Sequence, residues 1–123
     1  MGSFSAKLRV WNPASPEKIE EVEAMVDTGA AFSWIHRERL ERLGVEKLRR
    51  IGFRAIDGSI IELETAAVWV ASNDFKAPDI IVLAEGTDME VIGVHTIEGL
   101  GLAADPVQEK LIPTVMPALN TAR

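Results

Sequence analysis

The apolar residues of this chain occur in short runs, and turn-forming residues separate one run from the next. Residues 66–71 and 79–83 are two such runs, and both contain β-branched or aromatic side chains that favour strands. Ser72-Asn73-Asp74, between them, is typical of a turn. Many short strands, frequent turns and few helical stretches predict a mainly β, barrel-like domain.

The rest of the chain follows this pattern, with two interruptions. Residues 36–44 and 95–100 switch to helical spacing, and Gly44 stands where the first of these short helices is expected to end. Asp57-Gly58 marks the tight turn of a β-hairpin over residues 51–65. No linker or repeat divides the chain, so residues 1–123 are expected to form a single domain. The other predicted strands are residues 5–11, 20–26, 32–35, 89–93, 102–104 and 110–112.

Composition and charge argue against several classes of function. The net charge is −6 and there is no basic stripe, so neither nucleic acid nor an anionic membrane is an expected partner. The chain has no cysteine, and its two histidines, His36 and His95, are too few for a convincing histidine metal site. No metal and no cofactor are therefore expected. A cytoplasmic location is predicted, because the sequence has neither a secretory signal pattern nor an apolar run approaching about 20 residues.

One acidic turn stands out because apolar residues flank it on both sides. Met25-Val26 lead into Asp27-Thr28-Gly29, and Ala30-Ala31-Phe32 follow. By itself the tripeptide is equally compatible with an Asx-turn between two strands, since all three residue types are common in turns. Its apolar flanks favour a second interpretation, in which Asp27 is a reactive carboxyl group held at the end of a rigid strand.

Two segments together resemble a known family. Val26-Asp27-Thr28-Gly29-Ala30, followed by Ser33 and Ile35, is similar to the active-site segment of retroviral-type (retropepsin-like) aspartic proteases and their small, single-domain prokaryotic relatives. Glu90-Val91-Ile92-Gly93 resembles the second characteristic segment of that family, which leads into a short helix. The predicted hairpin over residues 51–65 lies between them, where the family has the flap that closes over substrate. The resemblance extends over residues 22–113.

The resemblance implies a closed β-barrel with a flap hairpin and one or two short helices, working as a two-fold homodimer. Its activity would be that of an aspartic endopeptidase, in which two carboxyl groups activate one water. Because the chain contains a single Asp-Thr-Gly, the two carboxyls would be the Asp27 side chains of two chains. Thr28 would bond across the dimer beneath them, and Gly29 would offer its backbone to a peptide or protein substrate. The implied substrate-contacting residues are Ala30, Ala31, Ile56, Asp57, Gly58, Ser59, Ile60 and Ile92.

The chain departs from the viral pattern at the dimer contact. Many viral members have an acid after the Asp-Thr-Gly-Ala segment, paired with an arginine just after the second glycine. Ala31 and Val94 occupy those places here, and His95 cannot form the same bidentate pair. The dimer is therefore expected to be stabilised differently or to be weaker.

Alternative interpretations remain for the acidic residues and for the function. Asp57 is expected to be mainly a turn former, and Asp79 to mark the start of a strand. A non-catalytic peptide-binding or scaffold module on the same fold is the main alternative function. A phosphotransfer enzyme with an aspartyl nucleophile is disfavoured, because Thr28 follows Asp27 directly where that signature has a lysine.

Overall fold

The computed structural model describes residues 3–122, which form eleven strands and two short helices. The protein is therefore mainly β, as the alternation of short apolar runs and turns predicts. The elements in chain order are β1 Ser5–Trp11, β2 Ile19–Val26, β3 Ser33–His36, α1 Arg37–Arg42, β4 Glu46–Lys47, β5 Ile51–Arg54, β6 Ile60–Leu63, β7 Thr65–Ser72, β8 Phe75–Ala84, β9 Val91–Ile92, α2 Val94–Gly99, β10 Leu102–Asp105 and β11 Lys110–Pro113.

Most predicted elements are confirmed, with shifted ends. The first strand has the predicted bounds, the hairpin over residues 51–65 is present, and Gly44 follows α1 with a positive φ of 65°. β8 starts at Phe75, before the predicted residue 79, because its first residues pair with β7 as far as Ser72. β4 was not predicted: Glu46 and Lys47 carry no apolar signal and are a strand only through pairing with β7.

Seven strands form one mixed sheet in the order β1-β2-β9-β3-β8-β7-β4. β2 runs parallel to β9 and β3 runs parallel to β8, whereas the other neighbouring pairs are antiparallel. β1 also pairs with β7, through Val10↔Val70 and its two neighbours, so the strand order returns to its beginning. The residues that alternate inward along these strands fill the core, which includes Leu8, Val10, Val22, Val26, Val68, Val70, Ile81 and Leu83.

The site is positioned by β9, a strand of only two residues. β9 lies between β2 and β3, with Val26 paired to Ile92 in parallel register. Because parallel neighbours end at the same edge, the chain leaves β2 at Asp27 and β9 at Gly93 side by side. The Asp27-Thr28-Gly29 turn and the segment ending at Gly93 therefore meet.

The hairpin β5–β6 forms a separate two-stranded sheet. Its Phe53 ring packs edge-on against Trp34 at 5.6 Å and Phe32 at 6.4 Å between ring centroids. These rings attach the β5 arm of the hairpin, near its turn, beside the end of β2 and the start of β3. Neither helix of residues 3–122 has the length and apolar character required to cross a membrane.

Candidate active site

The turn at Asp27 is fixed by its own backbone. The Asp27 amide donates to the carbonyl of Ile92 at 2.9 Å, and the Asp27 carbonyl accepts from the amide of Ala30 at 3.1 Å. The Gly29 amide donates to Asp27 Oδ1 at 2.9 Å, which orients the carboxylate. An added Cβ at Gly29 would approach Oδ1 to 3.1 Å, so a larger residue would press on this carboxylate. The Asx-turn interpretation is thus correct for the local geometry, and Oδ2, the other oxygen of this carboxylate, points away from the turn's hydrogen bond.

Asp27, Thr28 and Gly29 are all exposed. Within residues 3–122, neither Oδ2 of Asp27 nor the hydroxyl of Thr28 has a hydrogen-bond partner. Because both groups are exposed, water can satisfy them in a single chain, and both are accessible to another molecule.

The start of α2, just after Gly93, is hydrogen-bonded to the residues that follow this turn. The amide of Val94 donates to Ala30 O and the amide of His95 donates to Ala31 O, both at 2.9 Å. Gly93, which links β9 to Val94, lies very close to the backbone of residues 30–32. A Cβ added to Gly93 would lie 2.4 Å from Phe32 O and 2.8 Å from Ala30 O. Backbone atoms cannot yield as a flexible side chain does, so only glycine fits here. Residues 27–32, called the Asp27 loop below, form one packed unit with the start of α2.

A buried carboxylate lies beneath that unit. The side chain of Asp79 is only 2% exposed and accepts from Thr96 Oγ1 at 2.6 Å, from the Ile80 amide at 2.9 Å and from His95 Nδ1 at 2.8 Å. The expectation that Asp79 starts a strand was wrong: it lies inside β8 and points inward. An acid within a run of buried apolar residues was the signal that could have identified it, because a buried charge needs partners.

The tip of the hairpin faces solvent. Ile56 is fully exposed, and Ile60 and Ile61 are exposed as well. Asp57 Oδ1 accepts from the Ser59 amide at 2.9 Å and from its hydroxyl at 2.6 Å, and these bonds hold the pKa of Asp57 below its ordinary value. Gly58 has a φ of 89°, which the tight turn requires. Asp57 is thus a turn former, as expected.

The structure brings some of the predicted site residues together and leaves the others separate from them. Asp27, Thr28, Gly29, Ala30 and Ala31 form a single loop, and Ile92 lies directly behind it. Within the described range, no hydrogen bond or ring contact joins the hairpin tip, residues 56–60, to this loop. The ring contact that joins the hairpin to this loop is made by Phe53, on the β5 arm, with Phe32.

Two grooves flank the exposed turn, and no pattern in the sequence predicts either of them. One, of about 310 Å³, is lined by Phe4, Asp27, Thr28 and Ala104. The other, of about 380 Å³, is mostly apolar and lies between Thr28, Val94 and Ile97 on one side and the segment that follows β11 on the other. Both grooves adjoin Thr28, so a molecule bound in either would contact the exposed turn.

Comparison with protein-family models gives no match for this chain, and comparison with curated proteins gives none either.

Proposed function

We propose that this protein is a homodimeric aspartic endopeptidase, in which a water activated by the Asp27 carboxyls of two chains hydrolyses a peptide bond. The observation that carries the proposal is the outward-facing Asp27 turn: a backbone-anchored carboxylate has one free oxygen, next to a free Thr28 hydroxyl. One carboxylate and one hydroxyl per chain make half of a symmetric site.

The chemistry follows from pairing two such turns across a two-fold axis. Two carboxylates close together cannot both be ionised, so the pair shares one proton. The ionised member takes a proton from water, and the resulting hydroxide attacks the peptide carbonyl carbon. The protonated member polarises the carbonyl oxygen and later helps to protonate the leaving amine. The two titration steps belong to the pair rather than to either chain.

The topology supports a retropepsin-like closed barrel as the frame of this site. The β1–β7 pairing returns the strand order to its start, which favours a closed arrangement. The position of β9 between β2 and β3 brings Asp27 beside Gly93, in keeping with the order of the two motifs. The hairpin β5–β6 is the proposed flap, with its apolar tip as the surface that covers substrate.

The proposed dimer surface is the one that contains the two grooves around Thr28. Residues 31 and 94, where the viral pattern has an ion pair, are the apolar Ala31 and Val94, and Val94 lines the larger groove. Apolar contact would then stabilise the dimer in place of charge pairing. Such a surface leaves the site incomplete in a single chain, since one chain supplies only one carboxyl.

The decisive experiment compares wild-type protein with Asp27→Asn on a mixed peptide library at mildly acidic pH. We expect cleavage by the wild type and none by Asp27→Asn, with unchanged circular dichroism. Asp74→Asn, which changes an exposed acid in the β7–β8 turn, is the matched control and should cleave normally. Undiminished cleavage by Asp27→Asn would exclude Asp27 from the mechanism.

A mixing experiment tests the shared site. Wild-type protein is held at constant concentration while a large excess of Asp27→Asn chains is added and allowed to exchange. Most wild-type chains then enter mixed dimers with one functional carboxyl, so activity should be lost; an equal excess of Asp74→Asn chains should not reduce it. If the protein binds peptides but releases no products at any concentration, the non-catalytic peptide-binding module is the correct function.

A further inference from the structure

A line of hydrogen bonds connects Asp79 to the backbone of Gly93. Thr96 Oγ1 lies 2.6 Å from Asp79 Oδ2 and 2.5 Å from Ser33 Oγ, and Ser33 Oγ accepts from the Gly93 amide at 2.9 Å. All four residues are buried, with Ser33 and Thr96 at 0% and 1% exposure. The line joins β8, α2, β3 and the end of β9.

The direction of every bond in the line is determined by its two ends. Thr96 donates its single hydroxyl hydrogen to Asp79 Oδ2. Thr96 must then accept from Ser33, and Ser33 in turn accepts from the Gly93 amide, which can only donate. With all hydrogens pointing towards Asp79, each bond polarises the next, and breaking one bond weakens the others.

The line of hydrogen bonds ends at Gly93, whose backbone packs closely behind the Asp27 loop. Gly93 has no room to shift towards Ala30 and Phe32, and the next two amides, those of Val94 and His95, hold the carbonyls of Ala30 and Ala31. A displaced Gly93 peptide would therefore displace the loop.

The other oxygen of Asp79 holds a second connection. His95 Nδ1 lies 2.8 Å from Asp79 Oδ1, and the His95 ring packs on Phe32 at 5.2 Å between centroids. Phe32 packs in turn on Phe53, on the β5 arm of the hairpin. The two oxygens of one buried carboxylate thus support both the Asp27 loop and the aromatic contact under the hairpin.

We infer that Asp79 is a positioning residue, which acts through Thr96 and Ser33 to hold Gly93 and with it the Asp27 loop. It does not touch substrate. Its effect on cleavage rests on the proposed function, whereas its effect on loop order does not.

The test uses Thr96→Val, which keeps the volume of Thr96 but removes its hydroxyl, and Thr96→Ser, which restores the hydroxyl. Val70→Ala is the control. Val70 is a core residue on β7, which pairs with both β1 and β8, so this variant lowers stability without changing the hydrogen bonds from Asp79 to Gly93. Amide exchange at Val94 and His95 is measured at equal global stability, set with denaturant, because these two amides report the bonds to Ala30 and Ala31. Peptide cleavage is measured in parallel.

We expect exchange of both amides to be about tenfold faster in Thr96→Val, close to wild type in Thr96→Ser and unchanged in Val70→Ala. In cleavage, Thr96→Val should lower kcat roughly tenfold with little change in KM, since positioning of the carboxyls rather than binding is affected. Equal exchange in Thr96→Val and Val70→Ala would overturn the inference. If wild-type protein cleaves nothing, the proposed function fails, and the exchange result alone decides whether Asp79 positions the loop.

Discussion

The amide of Asp27 donates a hydrogen bond to the carbonyl of Ile92 at 2.9 Å. This bond continues the parallel pairing of β2 with β9 one residue beyond the end of β2, to the last residue of β9. It joins two segments that lie 65 residues apart in the chain (92 − 27) and makes them one unit. The exposed carboxylate is therefore held from behind by the sheet, although the turn that bears it faces outward.

Gly93 is predicted to tolerate no side chain. Gly93→Ala would place a methyl group 2.4 Å from Phe32 O, so we expect a loss of about 2–4 kcal/mol in the free energy of unfolding. Gly99→Ala is the matched control, because an added Cβ there meets nothing within 4 Å and alanine favours a helix. Urea unfolding of both variants checks this. Equal stability of the two would show that the backbone at Gly93 can relax.

Thr28 is predicted to matter for the dimer and not for the single chain. Its hydroxyl has no hydrogen-bond partner within residues 3–122, so Thr28→Val should change the stability of the monomer by less than about 0.5 kcal/mol. If the hydroxyl bonds across the two-fold axis, the dimer dissociation constant measured by sedimentation should rise on the order of tenfold. Thr87→Val, another exposed threonine, should leave it unchanged. An unaltered dissociation constant in Thr28→Val would remove Thr28 from the interface.

The hairpin is predicted to be held by Phe53 on its β5 arm and to be free at its tip. Phe53→Ala removes the ring that packs on Phe32 and Trp34, so it should cost about 1–3 kcal/mol and speed amide exchange in β5 and β6. Ile56→Ser changes a fully exposed tip residue and should leave stability within about 0.5 kcal/mol of wild type. If the tip covers substrate, Ile56→Ser should still raise KM for apolar peptides. Denaturation and steady-state kinetics of the same two variants separate these roles.

Glu64, at the junction of the hairpin with β7, provides a prediction about pH. A hydrogen bond from Arg37, whose Nη2 lies 2.8 Å from Glu64 Oε1, holds the pKa of Glu64 below its ordinary value of 4.5. A lowered pKa means that this ion pair stabilises the fold above about pH 4.5 and that the contribution disappears as pH falls through the lowered value. In Arg37→Gln, the pKa of Glu64 measured by NMR titration should rise towards 4.5. Arg42 pairs with Glu20 instead, so Arg42→Gln should leave the pKa of Glu64 unchanged.

The arrangement around the candidate site was predictable where it depended on adjacent residues. The apolar flanks of Asp27, the glycine two residues later and the second segment ending at Gly93 all appear in the sequence, and the structure brings them together. The partners of the buried Asp79 could not be predicted in the same way, because Thr96, and Ser33 beyond it, come from other elements. The hairpin was predicted from Asp57-Gly58, but its attachment through Phe53 depends on rings from a distant part of the chain.

By itself, the sequence determined the local features of this protein: where strands alternate, where Asp57-Gly58 and Asp27-Thr28-Gly29 turn, and that one chain has a single copy of the acidic motif. Each of these depends on neighbours within a few residues, whose backbone preferences and side-chain alternation are written in order along the chain. Only the tertiary structure decided that β9 lies between β2 and β3, that Asp79 points inward and that two grooves flank Thr28. Those features depend on contacts between residues far apart in sequence, and short stretches read one at a time contain no information about which distant surface will cover them.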